Sequence, residues 1–131
     1  MTLIERLEAG KPEEQEALLR DWLRAIMPPA KPGEWTQEQW SEWLNLTTRI
    51  ERLFDCGAYL DAVMLLVPEG WFVYGIGEQV KPIIFKGDTH DHIAFWSELQ
   101  RRQGGLLQKA TASTPALALA AAILKAKEVQ P

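Results

Sequence analysis

Apolar residues recur at helical spacing through the first half of the chain and switch to strand-like runs in the second. Leu3, Ile4 and Leu7 predict a short helix that Gly10 stops, and Pro12 suits the first position of a second helix. Glu13, Glu14 and Glu16 favour the positive end of that helix, and its apolar stripe runs through Leu18, Leu19, Trp22, Leu23 and Ile26. Pro28-Pro29 closes it, and the stretch through Pro32-Gly33 reads as a loop. Thr36 followed by Gln39 is a capping box, so a long helix is expected from Gln37, with Trp40, Trp43, Leu46, Thr47, Ile50, Leu53 and Phe54 in a broad stripe. Asp55-Cys56-Gly57 breaks it. A shorter helix carrying Leu60, Val63, Met64 and Val67 then ends at Pro68-Glu69-Gly70.

From Trp71 the pattern is rich in β-formers. Trp71 to Tyr74 and Val80 to Phe85, separated at Gly75–Gly77, predict one hairpin; Ile93 to Arg101 and Leu106 to Ala112, separated at Gln103-Gly104-Gly105, predict another. Thr114-Pro115 is a helix start, an N-cap hydroxyl followed by proline, and the alanine-rich run to Lys127 can approach a sheet closely and be largely buried. The expected class is therefore α+β: a four-stranded antiparallel sheet of two hairpins, packed by N-terminal helices and a C-terminal helix. A single domain is expected over 1–131, with a helical region at 1–55 and an α+β unit at 56–127.

The motif Asp61-Ala62-Val63-Met64-Leu65-Leu66-Val67-Pro68-Glu69-Gly70-Trp71, followed some forty residues on by Thr114-Pro115-Ala116-Leu117-Ala118-Leu119-Ala120-Ala121-Ala122, is similar to the phage ABA-sandwich family, a small family carried by phages and prophages. The first motif ends a helix and starts a strand, and the second caps the closing helix. The resemblance covers roughly the last 70 residues and implies a phage or prophage origin. Its motifs describe fold geometry and not chemistry, and it implies no catalytic residues, because the family has no established activity whose motif could be carried over. The tryptophan-bearing segment from Trp35 to Arg52 departs from the family's pattern.

Composition narrows the options. With 131 residues and 47% hydrophobic content, the chain can bury one core without metals or disulfides, and 24% charged residues is near the globular average. The net charge of −4 belongs to residues 1–55, where acids outnumber bases; the remainder is balanced. Nucleic-acid binding is disfavoured, because the sole adjacent basic pair is Arg101-Arg102 at a predicted turn. One cysteine, Cys56, excludes an intramolecular disulfide and a thiolate zinc cluster and fits a reducing compartment. The N-terminus shows no apolar signal core, and the longest apolar run, Ala116 to Leu124, is far short of the ~20 residues of a membrane span. The expectation is a protein of the host-cell cytoplasm with no membrane partner and no cofactor.

Candidate chemistry is sparse. Asp88-Thr89-His90-Asp91-His92 holds both histidines, and if the segment is extended Asp88, His90 and His92 share one face, a zinc-compatible set; the alternative is a solvated loop between hairpins. Gly75-Ile76-Gly77 lacks the third glycine and the following helix of a phosphate loop. Cys56 lies beside Asp55, which does not activate a thiol, and no serine has a nucleophile-elbow context. Of the six tryptophans, Trp22, Trp43 and Trp71 fall at core positions, and Trp96 has one face of a strand to itself. Trp35 and Trp40 lie at a helix start among Glu34, Glu38 and Glu42. They form either a protein-binding patch rimmed by acids or a staple in which Trp35 packs on Trp40 or a neighbour. The leading reading is a non-enzymatic protein-binding module, a phage accessory protein docking on a host or phage protein or on a second copy of itself, with inhibition of a host or defence protein as one such task. The alternative is a small-ligand binder holding a nucleotide or a metal around Gly75–Gly77 and Asp88–His92.

Overall fold

Thr114 and Pro115 begin the element around which the molecule is organised. The Thr114 hydroxyl accepts the Leu117 N–H at 3.2 Å, Pro115 takes the first helical position without wasting a donor, and α5 runs over Pro115–Val129. Every residue from Ala116 to Ile123 is buried, so this helix has no solvent face along two turns. A helix apolar all round must have neighbours all round. The computed structural model supplies them: the sheet on one side, and α1 (Leu3–Ala9), α2 (Gln15–Ile26) and α4 (Tyr59–Met64) on others. It describes residues 1–27, 31, 33–85 and 88–129, with the backbone alone for 79–85 and 88–93.

The remaining elements are a 3₁₀ turn at Pro12–Glu14, α3 (Gln37–Asp55), β1 (Trp71–Phe85), β2 (Asp88–Arg101) and β3 (Leu107–Ala112). Helix starts follow the local signals. Thr2 caps α1 through a capping box with Glu5, and Thr36 caps α3 through one with Gln39, whose N–H reaches the Thr36 hydroxyl at 3.2 Å. The fully buried Leu7, Leu19, Trp22, Val63, Leu99, Leu117, Leu119 and Ile123 form one contiguous core drawn from every layer. Trp71, at the start of β1, is also buried, as its position predicts.

The sheet is antiparallel with order β1-β2-β3, and its three strands correct the expected four. Gly75–Gly77 is not a turn. It lies inside β1, which runs unbroken past it from Trp71 to Phe85 with a register irregularity between Val73 and Gly75. The reason is Trp96, which sits opposite Gly77 in the register. A Cβ added at Gly75 would meet the Trp96 ring at 2.9 Å, and one at Gly77 would collide with its indole more closely still. The two glycines form a floor on which the indole lies, a close approach that marks glycine in a strand interior. Lys109 covers the ring from β3, its Nζ 5.5 Å from the centroid. The second expected hairpin is present: β2 turns through Gly104 and Gly105, both at positive φ, into β3.

Candidate docking surface

The last two turns of α3 hold its buried residues, and Leu46 in the turn before packs against the core while only partly buried. Ile50 and Phe54 are its two buried residues. Phe54 meets Tyr59 edge-on at 5.3 Å, and Arg20 of α2 lies 5.0 Å over the Phe54 ring while pairing with Glu51 at 3.1 Å. The hydrogen bond that Arg20 donates to Glu51 holds its guanidinium above its ordinary pKa, against a desolvation that lowers it. From Gln37 to Arg49 no residue is buried, and Leu44 is left 40% exposed.

Three tryptophans gather there. Trp35, the residue before the Thr36 cap, packs on Trp40 four positions into the helix, with ring centroids 6.2 Å apart and planes at 47°. That is the geometry of a hydrophobic staple. Trp43, one turn further on, stacks on Trp40 at 5.5 Å and 8°, and meets Trp35 at 6.1 Å. Each of the three indoles is partly buried. The sequence placed Trp43 in the core; the structure moves it into this cluster. Its spacing of three from Trp40 was legible, but periodicity identifies an apolar face without saying whether anything packs on it.

The three glutamates separate. Glu42 lines a groove of about 320 Å³ with Trp35, Gln39, Trp43 and Leu46. Glu34 is exposed and pairs with Lys31 at 4.0 Å, while its N–H and that of Trp35 both donate to the Lys31 carbonyl. Glu38 is exposed in the first turn of α3, where a carboxylate complements the helix dipole. The arrangement is an aromatic surface with an acidic rim.

The other candidates fare differently. Asp88, His90 and His92 occupy alternate positions of β2, paired with Phe85, Ile83 and Lys81 of β1, so the segment is strand and not a loop between hairpins. Their side chains, and with them the metal site, lie outside the described residues. Among the described residues no group of three histidine, cysteine, aspartate or glutamate side chains could hold a metal ion. Gly75–Gly77 lies within β1, with Trp96 against both glycines, and so is strand and not the loop that a phosphate cradle would need. Cys56 is exposed and lies 3.4 Å from the Leu53 carbonyl. No helix among the described residues is long and apolar enough to cross a membrane. Comparison of the chain with models of protein families, with characterised proteins and with solved structures finds no significant match.

Proposed function

We propose that this chain is a non-enzymatic protein-binding module that docks through the start of α3. One observation carries the reading: Trp35, before the cap of α3, gathers with Trp40 and Trp43 of a helical stretch, Gln37 to Arg49, that holds no buried residue and leaves Leu44 exposed. Tryptophans that stay partly exposed keep apolar surface in water, and tryptophan is enriched where binding energy concentrates. Acids at the margin, Glu34, Glu38 and Glu42, match the polar rim that surrounds an apolar contact. The setting rests on the resemblance carried by Asp61–Trp71 and Thr114–Ala122: a phage or prophage accessory protein in the host cytoplasm, acting on a host or phage protein, with inhibition of a defence factor as one such task.

Two measurements test the docking. Sedimentation velocity over a range of concentrations reads self-association, and affinity capture from host lysate reads a different partner. Trp40→Ala should abolish whichever complex forms. Complexes that survive this substitution unchanged would refute the reading.

A further inference from the structure

The chain's adjacent basic pair, Arg101-Arg102, is held at the turn between β2 and β3. The Arg101 N–H donates to the Leu106 carbonyl and the Arg102 N–H to the Gly70 carbonyl, each at 2.8 Å, so the backbone of both residues is fixed. The side chains are fixed as well. Arg101 Nε donates to the Gln103 carbonyl at 2.9 Å, and its guanidinium lies across Gly104, where an added Cβ would stand 3.2 Å from Nη2. Gly104 has φ +86°, so the turn needs glycine for its backbone and leaves the space that Arg101 fills. Arg102 lays its guanidinium over the Phe72 ring, 5.3 Å from the centroid.

Both arginines line one cleft of about 520 Å³, together with Gly70, Gln103 and Gly104, and no carboxylate is among its described lining residues. Neither arginine takes part in an ion pair among the described residues. In a chain with more acids than bases, two arginines thus line one cleft with no carboxylate paired to either among the described residues. Guanidinium forks match oxyanions bidentately, two positive charges match a dianion, and a phosphate monoester is close to dianionic above neutral pH. The cleft is also of the size that takes a small molecule.

We propose that this cleft is an oxyanion site that takes the phosphate group of a small phosphorylated molecule on Arg101 and Arg102. It is independent of the α3 surface. The test is a titration of the full-length protein with inorganic phosphate at constant ionic strength above neutral pH. Nuclear magnetic resonance would follow the Arg101 Nε–H and the backbone amides of Arg102 and Gly104. Saturable shifts at these groups are expected, with affinity lowered about tenfold or more by Arg101→Gln or Arg102→Gln, the worth of a charge-assisted hydrogen bond. Arg49→Gln, outside the cleft, should titrate like wild type. Shifts reproduced by chloride at equal ionic strength, or an Arg101→Gln protein that binds phosphate unchanged, would overturn the site. Glycerol phosphate should bind at least as tightly as inorganic phosphate. A phosphoserine peptide binding more tightly than glycerol phosphate would overturn the small-molecule assignment.

Discussion

Trp40 and Trp43, one turn apart on α3, stack with nearly parallel rings 5.5 Å between centroids, and neither is among the buried residues of that helix. Their contact with each other and with Trp35 therefore shields apolar surface within the cluster. Trp40→Ala removes two ring pairs worth about 0.5–1.5 kcal/mol each, and partial exposure places the loss at the low end. Trp22→Ala, which empties a fully buried site, should cost about 3–5 kcal/mol. Denaturant midpoints of the two variants check the contrast. A loss at Trp40 as large as that at Trp22 would make the cluster structural.

Gly77 and Trp96 face each other across β1 and β2, and the indole occupies the place a side chain would take. Gly77→Ala should force Trp96 off its floor and cost about 1–3 kcal/mol, as overpacking does. The Lys109 contact should go with it. A thermal melt reads the stability, and the Trp96 indole N–H resonance reads the displacement. An alanine variant as stable as wild type, with that resonance unmoved, would contradict the glycine floor.

The same pair explains where the sequence was legible and where it was not. Helix limits were readable because they are written locally: Thr36 with Gln39, Thr114 with Pro115, and Gly10 each act within three or four residues. Strand number was not, because Gly75 and Gly77 carry turn chemistry until a tryptophan some twenty residues later is placed upon them. Trp35 and Trp40 were legible as a pair for the same local reason, being one residue before a cap and four after it. Trp43 was not, since its environment depends on which helices lie near α3, a fact of tertiary packing.

Thr114→Ala removes the hydroxyl that accepts the Leu117 N–H inside the core. The expected cost is about 0.5–2 kcal/mol, toward the upper end because the orphaned donor is buried. Thr114→Ser should recover most of it. Chemical denaturation of both variants distinguishes a cap from simple volume loss, since a serine that restores nothing would point to the methyl group instead.

Asp21 joins α1 to α2 through Arg6, at 2.8 Å, and also pairs with Arg24. The hydrogen bond from Arg6, then the positive charge of Arg6 and Arg24, hold its carboxyl below the ordinary aspartate value despite some desolvation. A carboxyl depressed in the folded state contributes stability above its unfolded pKa of about 3.9, and loses it as pH falls through the lower folded value. The Tm of wild type should therefore exceed that of Asp21→Asn at neutral pH, and the difference should vanish in strong acid. A difference that grows on acidification would reverse the sign and refute the linkage.

The central claim is that the start of α3 is covered by another protein. It is tested most directly by placing a photocrosslinking amino acid at Gln39, in the groove beside Trp35 and Trp43, and a control at Glu128, exposed on α5. The account predicts a discrete covalent adduct from position 39 on illumination in host cells, none from position 128, and loss of the adduct when Trp40→Ala is added. An adduct that persists without Trp40, or no adduct at position 39 while position 128 crosslinks, would contradict it.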